Sequence, residues 1–336
     1  MTHLLPDGFT ARPAMLDDAT LVAKLWNDRI EATRNERPST PERILQRWNH
    51  PKFKNETDSR LVFADDGALI GYAHIRDVKD PPVDVFSGLA VHPEHDESSW
   101  LWDDLLGWMD REARRVIAKA PADARISLLA GSSDEDRVEQ RELERHGFTH
   151  DRTFHRMVLD FADAPVSEPK WPDGIAVRTL VPDVDDEALV RATREAFRDH
   201  YGHLDQPFEA ELAELRHWMA EDDFDASLWF LAHAIEDSSI VGFCTCYDEM
   251  PGDAERGLID VFGVRPAWRR RGIGQALLLH TFGDFSRRGR RGVVLTVDTE
   301  NSSGAPELYE LVGMHSQRAN HTYVKELRPG RNYVAQ

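Results

Sequence analysis

The sequence predicts an α/β protein built from two tandem copies of one domain, each a mixed, mostly antiparallel sheet flanked by helices. The chain has 336 residues, which is enough for one to three domains. Short apolar runs of strand length alternate with amphipathic helical stretches, and this alternation is typical of α/β folds. Segments of both kinds also recur once along the chain, at a separation of about 165 residues, which is the size of a domain.

The internal repeat defines the expected domain boundaries. The matching pairs are residues 9–13 with 175–179, residues 68–72 with 239–243, and residues 146–148 with 312–314. Between the copies, residues 162–174 contain three prolines and mixed charge, a composition typical of a linker. We therefore expect a first domain at residues 1–164, a linker at 165–174, a second domain at 175–330 and a tail at 331–336.

Each copy shows the same order of elements. A first strand leads to a helix, at residues 19–26 in one copy and 187–197 in the other. A second, amphipathic helix follows, with Leu212, Leu215, Trp218 and Met219 on its apolar face in the second copy. Antiparallel hairpins come next, at residues 60–64 with 69–75 and at residues 228–235 with 240–247. A strand, a long helix, a short strand, a helix and a last strand complete each copy.

Charge and composition narrow the classes of partner. Lys and Arg number 41 against 60 Asp and Glu, a formal net charge of −19, whereas nucleic-acid binding needs a basic face. An acidic surface fits a cationic amine acceptor, although solubility alone also explains it.

No apolar run approaches the roughly 20 residues that span a bilayer, and no signal peptide is recognised. Cys244 and Cys246 lie two residues apart on one face of an expected strand, which is a poor geometry for a disulfide. Two cysteines at this spacing do not by themselves make a zinc site. We expect a cytoplasmic protein with reduced thiols, no metal and no membrane or nucleic-acid partner.

A basic glycine loop is the most informative local feature. The apolar run at residues 258–264 precedes Arg269, Arg270, Arg271, Gly272, Ile273 and Gly274, and a helical run continues from Gln275. Strand, loop and helix in this order suit a pyrophosphate, because glycine lets the backbone approach the anion and the first helical N–H groups point at it. A tight turn with a solvated basic face is the alternative for the same residues.

The surrounding sequence resembles the GCN5-related N-acetyltransferase (GNAT) family. Val264-Arg265-Pro266 and the following loop are similar to motif A of that family, Arg/Gln-x-x-Gly-x-Gly/Ala after Val-x-Pro, although Arg270 replaces a frequent glycine. Residues 301–314, with Leu308-Tyr309-Glu310 and Gly313-Met314, resemble motif B. The resemblance implies the family fold, whose sheet splays where acyl-CoA enters, and acetyl-CoA as the acyl donor.

The resemblance also assigns residues that bind the donor. The basic loop, from Arg269 to Gln275, would hold the pyrophosphate. Backbone groups of Phe262 and Val264 would pair with the pantetheine arm, and a bulge at Gly263 would assist. Asn301 matches an asparagine that contacts the same arm, and its alternative role is to cap the last helix.

Two residues are candidates for proton transfer. Moving an acyl group from a thioester to an amine requires a neutral amine and protonation of the departing thiolate. The resemblance gives the second task to Tyr309, the tyrosine of motif B. Asp260 is the candidate base, because strand alternation places it on the face of Phe262 and because burial would raise its pKa. An ion pair with a nearby arginine is the alternative for Asp260.

We expect the residues that bind the amine acceptor just after the helix at 187–197 and just after the strand at 240–247. Asp199, His200 and Tyr201 lie where members of the family usually line the acceptor cleft, unless they are surface residues. Asp248, just after a strand, suits a cationic amine. These features predict an acetyl-CoA-dependent N-acetyltransferase that acts on a primary amine of a small, polar or cationic acceptor. A non-catalytic acyl-CoA-binding or regulatory module is the alternative function.

The first copy has lost these features at the matching positions. The replacements are Asp96 for Arg269, Ser99 for Gly272, Leu101 for Gly274 and Leu143 for Tyr309. Glu94 and Glu97 add negative charge to the loop, which would repel a pyrophosphate. We therefore expect only the second copy to be catalytic, and we expect the first copy not to bind CoA.

Overall fold

The computed structural model describes residues 5–33, 39–77, 80–162, 166–198, 200–204, 206–300 and 304–334. The chain divides into two compact units. The first contains Met1–Thr153 and Asn320–Tyr333, and the second contains Phe154–Ala319 and Val334–Gln336. The α/β fold class predicted from the sequence is confirmed.

The first unit is a mixed sheet with helices. Its strands are β1 (Thr10–Arg12), β2 (Ser59–Phe63), β3 (Leu69–Arg76), β4 (Asp84–Val91), β5 (Ile126–Ser133) and most of β12 (His315–Arg328). Its helices are α1 (Ala19–Ala32), α2 (Pro41–Trp48), α3 (Asn55–Asp58), α4 (Ser99–Ala113) and α5 (Arg137–Arg145). The strands follow the order β1-β2-β3-β4-β5-β12, in which the β4–β5 pair is parallel and the other pairs are antiparallel.

The second unit repeats this plan. Its strands are most of β6 (Thr149–Asp160), β7 (Ile175–Thr179), β8 (Phe230–Ala234), β9 (Ile240–Tyr247), β10 (Arg256–Val264) and β11 (Gly292–Asp298). Its helices are α6 (Asp186–Phe197), α7 (Phe208–Trp218), α8 (Ile273–Arg287) and α9 (Ala305–Leu311). The strands follow the order β6-β11-β10-β9-β8-β7, and here the β10–β11 pair is the parallel one.

The last strand of each repeat belongs to the other unit. β6 ends the first repeat in sequence, but it pairs with β11 from Phe154↔Asp298 to Asp160↔Gly292. β12 ends the second repeat and pairs with β5 of the first unit. The units therefore differ from the expected boundaries at residues 164 and 175, because a strand pattern in the sequence does not say which strand it will pair with. In the expected linker, Val166 and Trp171 pack against the core of the second unit.

Helices cover both faces of each sheet. In the first unit α4 packs Leu101, Trp102 and Leu105 on one face, while α1 and α2 pack against Leu61 and Tyr72 on the other. In the second unit α8 lies so close to the sheet that a Cβ at Gly257 would meet the Phe285 ring at 2.2 Å. The opposite face of that unit carries α6 and α7. Within the described ranges no helix has the length and apolarity that crossing a bilayer requires.

Candidate active site

An opening between β10 and β11 is the central feature of the second unit. The two strands pair only from Arg256↔Gly292 to Leu258↔Val294, although β10 continues to Val264 and β11 to Asp298. Beyond Leu258 each strand keeps its other neighbour, β9 for β10 and β6 for β11. The parting of the two strands leaves main-chain groups of β10 facing a gap, which is the splay expected from the sequence.

A β-bulge at Asp260 lies at the start of this opening. Thr245 pairs with Val261 and Cys246 with Ile259, so Asp260 is the extra residue on β10. Asp260 and Val261 consequently both line a pocket on the side of α6 and α7. The prediction of a bulge at Gly263 was wrong by three residues.

Phe262 lies on the opposite face of β10 from Asp260. A Cβ at Gly274, in the first turn of α8, would be 3.3 Å from Cζ of Phe262 and 3.6 Å from Cγ2 of Val264. The prediction that Asp260 shares the face of Phe262 was therefore wrong, because the extra residue at the bulge interrupts the strict alternation of side chains. The bulge sends the carboxylate to one side of the strand and the Phe262 ring to the other.

The pocket beside Asp260 lies among α6, α7, β9 and β10 and has a volume of ≈ 270 Å³. Its apolar lining includes Leu189, Val190, Phe197, Leu215, Trp229 and Phe243. Its polar lining includes Thr193, His203, Gln206, Glu214 and Thr245. A concavity with a largely apolar wall and some polar groups is the usual form of a small-molecule site.

The Asp260 carboxylate is accessible to solvent and yet crowded by the pocket walls. This loss of hydration raises the pKa of Asp260 above its ordinary value. Among the residues that the structure describes, Asp260 forms no ion pair, so the alternative of an arginine partner is not what the fold provides. A carboxylate with a raised pKa, facing a pocket, has the properties of a proton acceptor.

Tyr309 lies on the other side of β10. It is a buried residue of α9, and its ring centroid is 6.0 Å from that of Phe262. Burial, with a smaller contribution from neighbouring Cys244, raises the pKa of the Tyr309 hydroxyl well above its ordinary value. The hydroxyl therefore remains protonated at neutral pH and can act as a proton donor. Pro306 falls in the first turn of α9, where its missing N–H costs no helical hydrogen bond.

The basic loop after β10 is fixed by its own arginines. The Arg269 guanidinium donates to the carbonyls of Val264 at 3.0 Å and Ala196 at 2.9 Å, which ties the loop to β10 and α6. Arg271 stacks over the Trp268 ring at 4.9 Å. Arg270 has a φ of 61°, in the left-handed region that favours glycine, which accounts for the glycine common at this position in motif A.

The loop delivers the chain to the positive end of α8. Gly272, with a φ of 84°, precedes the helix, and the first helical N–H to find a carbonyl is that of Ala276, at 3.0 Å from the Gly272 oxygen. The N–H groups of Ile273, Gly274 and Gln275 therefore begin a 15-residue helix without intrahelical partners. Such N–H groups, with the arginine side chains of the loop nearby, have the features of an anion-binding site, called the cradle below.

The predicted acceptor residues are only partly brought to the pocket. His200 and Tyr201 contact Phe197 and Phe154, with ring centroids 5.0 and 6.4 Å apart respectively, and neither lines the pocket. The segment does reach the pocket two residues later, through His203. Asp199 and Asn301 lie outside the described residues.

Asp248 pairs with an arginine outside the pocket. Both of its carboxylate oxygens face the guanidinium of Arg290, which also contacts Glu249, and Asp248 is not part of the pocket lining. Sequence reasoning missed this ion pair because 42 residues separate the two partners. It also missed Trp218, whose place on an apolar helical face indicates a core residue but which is 40% exposed and lines the pocket.

In the first unit the corresponding loop and helices contact one another through their own side chains. Arg29 of α1 forms ion pairs with Asp96 in the loop before α4 and with Asp136 at the start of α5. The Trp102 ring lies 5.5 Å from the same guanidinium. Trp48, the last residue of α2, is 3% exposed and donates through Nε1 to the Tyr72 hydroxyl at 3.0 Å. An internal ion-pair network thus lies at the loop that matches the basic loop, and a buried tryptophan ends the second helix, as the exposed Trp218 does in the second unit.

Comparison with known proteins agrees with this geometry. The sequence model of the acetyltransferase (GNAT) family matches residues 188–314 of the chain. The crystal structure of a GCN5-related N-acetyltransferase from Sphaerobacter thermophilus superimposes with a TM-score of 0.80 at 32% identity, covering 98% of this chain and 99% of the other. The chain belongs to the GNAT family of acetyltransferases.

Relatives along most of the chain carry one particular name. A mycothiol acetyltransferase from Amycolatopsis mediterranei is 31% identical over 255 residues, which cover 72% of this chain and 76% of the relative. Another from Renibacterium salmoninarum is 28% identical over 82% of both chains. A tandem GNAT protein from the clavulanic acid biosynthesis pathway has the same fold, with a TM-score of 0.68 at 14% identity, over 96% of this chain and all of the other. The chain is thus an N-acetyltransferase with tandem architecture.

Proposed function

We propose that the second unit transfers an acetyl group from acetyl-CoA directly to a primary amine of a small, cationic acceptor, and that the first unit does not catalyse. The opening between β10 and β11 carries this proposal. On one side of β10 it has Tyr309 and Phe262, and on the other it has Asp260 and an apolar pocket. Two substrates that approach from opposite faces of the sheet would meet at this strand.

The donor side fits acetyl-CoA, the acyl donor of GNAT acetyltransferases. The positive φ of Gly272 and the N-terminus of α8, flanked by Arg270 and Arg271, suit its pyrophosphate. Main-chain groups of Phe262 and Val264, on the open stretch of β10, suit an arm that binds as an added strand. Asn301 keeps its proposed place beside that arm. Acetyl-CoA would supply the acetyl group as an activated thioester.

Proton transfer falls to two side chains. Asp260 attracts the protonated amine, which must first lose one proton to solvent to become a neutral nucleophile. Asp260 then accepts a second proton from the nitrogen, directly or through water, as the new C–N bond forms. Tyr309 donates its hydroxyl proton to the sulfur as the C–S bond breaks, so the products are an N-acetylated amine and the free thiol of CoA. Proton exchange with solvent then restores both side chains.

Contacts within the first unit support its proposed inactivity. Arg29 neutralises Asp96 and Asp136 within the protein, and Leu143, which matches Tyr309 in the repeat, is fully buried and has no proton to give. β4 pairs with β3 in unbroken register from Gly71↔Val91 to Arg76↔Phe86 and has no counterpart of the Asp260 bulge.

Release of free thiol from acetyl-CoA across a panel of primary amines tests the proposal. We expect turnover by the wild type, and we expect kcat/KM to rise with pH through the raised pKa of Asp260, because the ionised carboxylate is the proton acceptor. Asp260→Asn should remove that acid limb and lower kcat/KM about 100-fold. An unchanged pH profile in Asp260→Asn would show that another group is the base. Calorimetric titration of the full chain should give one acetyl-CoA site, and two sites would contradict the inactive first unit.

A further inference from the structure

The pocket beside Asp260 has walls that favour one kind of acceptor. Leu215, Trp229 and Phe243 present apolar surface to it, and Trp229 is only 3% exposed. Arg194, which also lines the pocket, approaches Glu211 at 3.7 Å, so these two opposite charges balance each other. The pocket therefore combines a continuous apolar wall, which an apolar ligand body can cover, with polar side chains at other points of its lining.

Carboxylates line the pocket on two sides, and the one on the strand side is Asp260 of β10. Asp260 has no ion-pair partner among the described residues, and Thr245 beside it supplies a single hydroxyl. Glu214 of α7 adds a second carboxylate to the lining. A ligand with a cationic nitrogen at Asp260 and an apolar remainder against Leu215 and Trp229 matches the carboxylate of β10 and the apolar wall.

Trp218 distinguishes this pocket from its counterpart in the first unit. Both tryptophans end the second helix of their unit, yet Trp48 is 3% exposed and bonded to Tyr72, whereas Trp218 is 40% exposed at the pocket. A large aromatic side chain left open to water at a cavity has free apolar surface for a ligand, and its ring face also attracts a cation. The volume of ≈ 270 Å³ lies near the lower end of ligand pockets, about 300–1,000 Å³.

We propose that this pocket takes a primary amine carried on an apolar body of about one ring, as in an arylalkylamine, and that Trp218 selects that body. This inference rests on the proposed function of the second unit and narrows its acceptor class. Asp260 holds the nitrogen next to the opening in the sheet, and Trp218 with Leu215 covers the ring.

Competing amines test the inference directly. With acetyl-CoA saturating, we expect 2-phenylethylamine to have a kcat/KM at least about tenfold above that of glucosamine, because only the phenyl ring can cover the apolar surface of Trp218 and Leu215. Trp218→Ala should lower kcat/KM for 2-phenylethylamine about tenfold, mainly through KM, and should change that for ethanolamine by less than about twofold. Trp218→Phe should restore most of the loss. Trp100→Ala, a partly exposed tryptophan of the first unit, is the matched control, and melting temperatures verify that each variant folds.

The outcomes separate this inference from the proposed function. Preference for glucosamine, or an equal loss for every amine in Trp218→Ala, would overturn the inference and leave the acetyltransferase proposal intact. Failure of every amine to release thiol, while acetyl-CoA still binds, would overturn the proposed function and the inference with it.

Discussion

The loops that follow β4 and β10 join the same elements with opposite charge. In the second unit an arginine of the loop, Arg269, reaches back to a carbonyl of α6, and in the first unit an arginine of α1, Arg29, reaches forward to Asp96 of the loop. Both contacts tie a loop to the first helix of its unit. Only in the second unit do cationic side chains, Arg270 and Arg271, lie beside a helix N-terminus with unpaired N–H groups. The comparison shows that a repeat can keep a structural brace while exchanging the charge on which anion binding depends.

The strands that precede these loops differ by a single residue. β3 and β4 keep a continuous register, whereas the Asp260 bulge interrupts the register of β9 and β10. Without the extra residue, the carboxylate would not lie beside Val261 on the pocket side. An insertion of this kind costs ladder hydrogen bonds, and its presence in only one of two similar units indicates a functional use.

The largest expected effect is a loss of kcat on substitution of Tyr309, which has no parallel at Leu143, the matching residue of the first repeat. Tyr309→Phe should lower kcat about 10²–10⁴-fold without weakening acetyl-CoA binding, because the ring contact with Phe262 remains and the proton donor is lost. Leu143→Ala should instead destabilise the chain by about 2–5 kcal/mol, since it empties a fully buried site. Thiol release and urea unfolding measure the two effects. A fall in kcat per folded molecule in Leu143→Ala would break the distinction between the units.

A smaller effect concerns the two loops. Replacing both Arg270 and Arg271 by Glu should weaken acetyl-CoA binding about 10- to 100-fold, with a loss that shrinks at high salt, because repulsion at the helix N-terminus is screened. Arg287→Glu reverses one charge, half of that change, at the other end of α8 and should leave affinity nearly unchanged. Asp96→Asn should not create a second site, because Asp136 still holds Arg29. Titration calorimetry measures all three, and equal losses in the loop variant and Arg287→Glu would contradict a specific cradle.

The smallest expected effect is a change in the thermal stability of the protein with pH, through Glu139 of the first unit. Burial, and then the charge of Asp136, raises the pKa of Glu139 to about 8 against the attraction of Arg29. Since the folded state holds this proton more tightly than the unfolded chain, the contribution of Glu139 to stability is lost as pH rises toward 8. Glu139→Gln should therefore raise Tm by a few degrees at pH 8.5 and by less at pH 5, because about 1 kcal/mol shifts Tm by 2–4 °C. Thermal unfolding at both pH values, with exposed Glu144→Gln as control, measures the difference. A gain independent of pH would point to packing instead.

Local sequence signals predicted the helices and strands, but they did not predict features that depend on contacts between residues distant in the sequence. The hairpins at β2–β3 and β8–β9, the start of α8 at the glycine loop and Pro306 in the first turn of α9 all follow from neighbouring residues. The bulge at Asp260 depends on the register of β9 against β10, which no single strand specifies. The Arg290 to Asp248 ion pair and the exposure of Trp218 likewise depend on residues distant in sequence.

The placement of β12 also bears on how the protein is made. Asn320–Tyr333 belong to the first unit, so a ribosome must synthesise nearly the whole chain before that unit has all of its strands. Until then β5 has one unpaired edge, and such an edge is a template for unwanted pairing between chains. A gene cut at the proline-rich segment would leave each half with one strand that belongs to the other, so the two repeats would have to be studied, inherited and engineered as one piece.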